Sequence, residues 1–244
     1  VYGDFTNLSV YCYTHGYMGG ENLLTYKNTC SSNPINFLTM TITSSTVNNG
    51  STSNDASISL TFTSSAETTN FVQEDISVTN GEISNFAATS STDYTATFTP
   101  YASGATTIDV SANKFTDAYG NQNTAADQFN WTYNNTQPTM TITSSTVNDG
   151  DTSNDASISL TFTSSVATTN FVQGDITVTN GSISSFDGSG TTYSATFTPS
   201  GVGATTINVG AGVYTDDISN NNIAASEFNW TYNNTRPTMT ITSS

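Results

Sequence analysis

The chain has 244 residues, 34% hydrophobic, 11% aromatic and only 9% charged, with a formal charge of −16. Three basic residues (Lys27, Lys114 and Arg236) against 19 acidic ones exclude a nucleic-acid partner and a polybasic membrane patch, both of which need clustered Lys and Arg. The longest apolar runs fall well short of the ~18 residues of a membrane-spanning helix, and the wealth of Thr, Ile, Val, Phe and Tyr points to a folded, all-β protein.

Residues 1–38 form a head unlike the rest. It opens at Val1 rather than Met, as a trimmed N terminus would, and shows no signal peptide. Both cysteines, Cys12 and Cys30, lie here. In a small segment with little core such a pair reads as a disulfide formed in an oxidising compartment, two unpaired thiols being the other reading. The head also carries Tyr2, Tyr11, Tyr13, Tyr17 and Tyr26. Tyr buries its ring while its hydroxyl still bonds. The head therefore suits self-association, with residues 8–13 as a strand added to a neighbouring subunit's sheet edge, or capping of the first repeat.

From Thr39 onward the chain repeats itself. Residues 39–45 (Thr-Met-Thr-Ile-Thr-Ser-Ser) return at 139–145 and again at 238–244, and between 39 and 86 the first copy matches the second at 40 of 48 positions. One residue is lost after Phe86, so the offset falls from 100 to 99 by Tyr94. A period near 100 exceeds the ~20–50 residues of solenoid units and is the size of a small domain. The organisation read from it is a head (1–38), repeat 1 (39–138), repeat 2 (139–237) and the start of a third copy (238–244), with more copies expected after Ser244.

Within repeat 1, period-2 alternation predicts the strands. Met40 and Ile42 open the domain. Ile58, Leu60 and Phe62 alternate with Ser59 and Thr61, and Ile76 and Val78 with Ser77. Asn80-Gly81 follows as a hairpin signal, with a short strand over 83–86 after it. Tyr94, Ala96 and Phe98 form the next strand, ended by Pro100, then Ile108 and Val110, and finally Phe129, Trp131 and Tyr133. About seven short strands in 100 residues predict an antiparallel β-sandwich of immunoglobulin type. The joints, residues 134–138 and 233–237, are short and end in Pro, which holds the preceding residue extended. They predict domains strung end to end as a stiff rod.

The order Thr-x-Thr-Ile-Thr-Ser-Ser, Asn-Asp-Ala-Ser-Ile-Ser-Leu-Thr-Phe, Asn-Phe-Val-Gln-x-Asp-Ile, Val-Thr-Asn-Gly and Thr-Asp-x-x-x-Asn, closing with a strand and a Pro joint, resembles the bacterial Ig-like tandem domains over 39–237. The resemblance implies the stalk of a large secreted or surface adhesin-type protein. Such domains often carry Asp before Thr-Thr-x-Pro, where this chain has Asn, so an interdomain calcium site is not implied here.

Candidate calcium ligands are the loop acids shared by both copies: Asp55 and Asp155, Asp75 and Asp175, Asp117 and Asp216. Hard cations take such oxygens, whereas the same residues also build turns by bonding their own backbone. Repeat 2 adds Asp149, Asp151 and Asp217. Asn-x-Ser/Thr acceptors for glycans occur at Asn7, Asn49, Asn130, Asn134, Asn180, Asn229 and Asn233. If Trp131 points inward, Asn130 and Thr132 point outward, where a glycan has room.

Catalysis finds little support. His15 is the lone histidine, and Glu74 of the Glu74-Asp75 pair is Gly174 in repeat 2, so neither a nucleophile–base pair nor a repeated carboxylate pair emerges. An isopeptide cross-link fails as well, since Lys114 becomes Val213. The reading is a non-enzymatic extracellular structural protein, a rigid stalk forming or projecting from a surface filament. The alternatives are an adhesin binding a surface ligand and a spacer of a secreted hydrolase.

Overall fold

A computed structural model describes residues 11, 12, 16, 17 and 37–243. The chain divides into two compact units, Val1–Phe37 and Leu38–Ser244, and the second holds both repeats. In the first unit β1 (Tyr11–Cys12) pairs antiparallel with β2 (Gly16–Tyr17), Tyr11 opposite Tyr17.

Repeat 1 is an all-β sandwich. One sheet has the order β3 (Met40–Ser44), β5 (Ile58–Ser64), β8 (Asp93–Pro100), β7 (Gly81–Ala88), and the other β4 (Thr52–Ser53), β10 (Phe129–Tyr133), β9 (Gly104–Val110), β6 (Ile76–Thr79). The alternation decides the faces. Ile42 stands opposite Phe62 and Phe62 opposite Tyr94 on the inner face, while Thr41 faces Thr63 and Thr43 faces Thr61 outside. Phe71 is the hub of the interior, its ring edge-on to Tyr94 at 5.0 Å and to Phe115 at 5.2 Å. Trp131 closes the other end of the core against Phe98, and its indole N–H donates to Ser53 Oγ at 3.0 Å.

Repeat 2 copies this plan with β11 (Met140–Ser144), β12 (Thr152–Ser153), β13 (Ile158–Thr168), β14 (Ile176–Thr179), β15 (Gly181–Pro199), β16 (Gly203–Val209) and β17 (Phe228–Tyr232). It has its own core, built around Phe162, Phe171, Phe197 and Trp230. The lost residue falls in the turn within β15, where a Cβ on Gly188 would lie 2.4 Å from the Thr192 carbonyl oxygen. Only glycine lets the two halves of β15 come so close.

Three expectations need correction. Asn80-Gly81 is no hairpin, because β6 pairs with β9 and β7 with β8, in different sheets. Asn80 takes a left-handed φ of 53° at the crossing, and a Cβ on Gly81 would meet the Phe98 ring at 2.3 Å. The turn chemistry was legible, whereas the partners of its flanking strands are set by the core. The sandwich is also not wholly antiparallel: β4 runs parallel to β10, with Thr132 opposite Thr52. Finally, Leu38 belongs to repeat 1 rather than to the head. It is buried, and its carbonyl accepts the Thr124 N–H at 2.8 Å. Pro138 does the same for Ile223 in repeat 2, at 3.0 Å.

Candidate functional site

Of the loop acids, Asp75, Asp175, Asp117 and Asp216 are turned toward their own backbone. Asp75 Oδ2 accepts the Val72 N–H at 3.0 Å and Asp175 Oδ2 the Val172 N–H at 2.8 Å, closing the 3-10 turns Gln73–Asp75 and Gln173–Asp175. Asp55 Oδ2 accepts from Ser53 Oγ at 2.6 Å, the same hydroxyl that receives the Trp131 indole. Asp155 stays on that hydroxyl only through its backbone N–H, at 3.5 Å from Ser153 Oγ. In repeat 1 Asp117 Oδ1 accepts the N–H groups of Tyr119 and Asn121, both at 2.9 Å, and Oδ2 accepts Asn121 Nδ2 at 2.8 Å. These donors favour the ionised form, and the Asn121 side chain, the strongest of them, holds Asp117 below its ordinary value of 3.8. Among the described residues no three His, Cys, Asp or Glu side chains converge as a metal site would.

The sequons sort by what their amides already do. Asn49 Oδ1 accepts the Asn130 N–H at 2.8 Å, a place taken in repeat 2 by Asp149 on Asn229 at 2.7 Å. Asn180 donates to the Gly201 carbonyl at 2.9 Å from a left-handed backbone. Asn130 and Asn229 point outward from β10 and β17 between buried aromatics, as the alternation requires. Asn233 is exposed too, its Oδ1 accepting the Thr235 N–H at 3.0 Å. Asn7, His15 and Cys30 lie outside the described residues, and the Cys12–Cys30 pairing with them.

Two of the candidates, Asn134 and Asp216, do meet, and they meet between the repeats. Parallel pairing brings the ends of β4 and β10 to one pole of repeat 1, placing Asn54 beside Asn134. The loop joining β16 to β17 of repeat 2 comes against that pole. Asp216 Oδ1 accepts the Ile218 and Asn220 N–H groups at 3.1 and 2.8 Å, and Oδ2 accepts Asn220 Nδ2 at 3.0 Å. So fixed, Asn220 Nδ2 donates to the Asn134 carbonyl at 3.1 Å, and its Oδ1 accepts Asn54 Nδ2 at 3.2 Å. Asn220 is 6% exposed. Beside it lies an open groove of about 220 Å³, walled by Thr52 and Asn134 from one repeat and Val166, Ala167, Asp216 and Asp217 from the other.

Sequence reasoning singled out neither Asn54 nor Asn220. The available signal was the Thr-Asp-x-x-x-Asn stretch present in both copies, ending at Asn121 and Asn220. Chemically this cluster offers amides, carboxylates, carbonyls and the Thr52 hydroxyl. What it can do is join one repeat to the next.

A family model described as a bacterial Ig-like domain matches residues 37–133 and again 134–232. None of the curated proteins compared with the chain matches it. Among solved structures, InvD of Yersinia pseudotuberculosis is similar at 18% identity over 82% of this chain and 60% of that one, with a TM-score of 0.32. An invasin described as a bacterial integrin-binding protein is similar at 21% identity over 69% of this chain and 36% of that one, with a TM-score of 0.34. The C-terminal domain of the Streptococcus agalactiae AgI/II polypeptide BspA is 7% identical over 80% of this chain and 99% of its own, with a TM-score of 0.41. Each likeness is weak, and the match spans less than two thirds of InvD and of the invasin.

Proposed function

The chain belongs to the bacterial Ig-like domain family, and we propose that it is a spacer in an extracellular, surface-attached protein: a non-catalytic stalk segment that sets the distance between an anchor and whatever lies beyond it. The observation that carries this reading is the joint. The connection over 134–138 is short, its Pro138 is buried, and Asn220 bonds across it to Asn54 and Asn134. A linker of flexible Gly and Ser would let two domains tumble, whereas a closed joint transmits length.

The surfaces agree with that role. Outward Thr and Ser on β3, β5 and β8 leave few apolar patches for aggregation, and a charge of −16 keeps copies apart in solution. Trypsin-type proteases have little to cut, since Arg236 precedes Pro237 and only Lys27 and Lys114 are left. Assembly into a filament through the N-terminal head extends the same reading, with the Cys12–Cys30 disulfide as its brace.

Immunogold labelling of intact source cells with antibodies against the repeats tests the setting. Label on unpermeabilised cells, removed by shaving with a broad-specificity protease, is the expected result. Label confined to permeabilised cells contradicts the proposal.

A further inference from the structure

The two repeats present one pair of surfaces in two states, covered and uncovered. At the joint the loop of repeat 2 is covered: Asn220 is 6% exposed and Ile218 half-buried. The same loop of repeat 1 keeps its internal bonds, Asp117 to Asn121 at 2.9 and 2.8 Å, but Asn121 is exposed and Tyr119, in the place of Ile218, is 91% exposed. The receiving pole behaves likewise. Asn54 is half-buried by Asn220, while its copy Asn154 is exposed, as is Asn233, the copy of Asn134. The sequence difference tracks the covering. Where repeat 1 carries Ala66-Glu67, repeat 2 carries Val166-Ala167, which wall the joint.

From this we infer that every repeat carries both halves of one head-to-tail docking surface. The loop half is Asp117 with Asn121, or Asp216 with Asn220. The receiving half is Asn54 with the Asn134 carbonyl, or Asn154 with the Asn233 carbonyl. The partner of the receiving half on repeat 2 is a further copy of this repeat, whose opening sequence, Thr-Met-Thr-Ile-Thr-Ser-Ser, is present again from Thr238. The two halves lie on different surfaces of each repeat, so the contact is heterologous, head to tail. The joint holds itself by amide hydrogen bonds, from Asn54 to Asn220 and from Asn220 to the Asn134 carbonyl. This inference rests on the spacer reading and specifies how the spacer keeps its direction.

The test is residual dipolar coupling measured on the full chain, which reports whether the two repeats share one alignment tensor. The wild-type protein shows a single tensor. N220A and N54A, the second of which leaves the Asp216 loop intact, give two tensors of different magnitude. N121A and N154A, the uncovered copies of the same residues, keep one tensor and control for damage to the loop. In a chain lengthened after Ser244 by a copy of residues 146–237, N154A loosens the new joint. A single tensor retained in both N220A and N54A overturns the inference, as does N121A acting like N220A, or N154A staying silent in the lengthened chain. Such a failure leaves surface labelling untouched, so it is distinguishable from failure of the spacer reading.

Discussion

One substitution, made at the same place in each repeat, should act with opposite signs. Ser64 and Ser164 are both buried on the inner face of their strands. In repeat 2, Ser164 Oγ lies 3.3 Å from the Tyr214 hydroxyl. Repeat 1 has Phe115 where repeat 2 has Tyr214, and Ser64 Oγ is buried with no hydrogen-bond partner among the described residues. A buried polar group without a partner costs about 1–3 kcal/mol. Ser64→Ala removes that penalty while keeping the Cβ contacts, so repeat 1 should gain about 1 kcal/mol. Ser164→Ala breaks a bond and strands the Tyr214 hydroxyl in the core, so repeat 2 should lose about 1–3 kcal/mol. Amide hydrogen exchange reads each repeat separately through its core strands. Protection in β5 and β8 should rise roughly fivefold in Ser64→Ala, and protection in β13 should fall at least fivefold in Ser164→Ala, since ~1 kcal/mol corresponds to a factor of about 5. Phe115→Tyr should supply the missing partner and mimic the gain. Loss of protection in both Ser→Ala variants would refute the reasoning, because it would mean that Ser64 is satisfied in solution.

Acid should weaken repeat 1 through Asp93. Its carboxylate accepts the hydroxyls of Thr63, Ser90 and Thr92, Thr63 contributing most, and these lower its pKa from the ordinary 3.8. A lowered folded pKa gives stability that is complete above 3.8 and fades as pH falls toward the folded value. Asp93→Thr, the residue repeat 2 carries as Thr192, should therefore flatten the acid limb of a melting-temperature profile taken from about pH 5 to about pH 2; an unchanged limb contradicts this. Gly81→Ala should destabilise repeat 1 by about 1–3 kcal/mol in urea unfolding, because its Cβ meets the Phe98 ring at 2.3 Å and overpacking costs about that much. A neutral result would mean that the ring moves aside freely. Removing divalent cations with a chelator should shift melting by less than about 2 °C, since the carboxylates of Asp75, Asp117, Asp175 and Asp216 already accept hydrogen bonds from their own loops; a larger drop would show that ions hold those loops.

Alternation made the strands legible because a sandwich buries every second residue, and the seven strands read from it are present. The Thr52–Ser53 strand was invisible, being two residues without a period, although it sets the parallel pairing that brings Asn54 to Asn134. The loop acids were found by position, but their bonds were not. A carboxylate four residues before an Asn reads equally as an ion ligand or as a turn, and only the folded loop shows Asp117 and Asp216 spent on N–H groups. The joint was furthest from reach. Asn220 lies 166 positions from Asn54 and 86 from Asn134, and nothing local marks such a partner. What the sequence did hold was the contrast between copies at Ala66-Glu67 and Val166-Ala167, legible only once one of them is known to face a neighbour.

Electron microscopy of the natural protein, purified from its source and imaged with and without reduction, tests the central claim most directly. A joint that fixes direction predicts beads in straight runs, with a constant bead-to-bead angle whether or not cysteines are reduced. Beads joined at widely varying angles, or repeats collapsed into a single globule, would contradict the account.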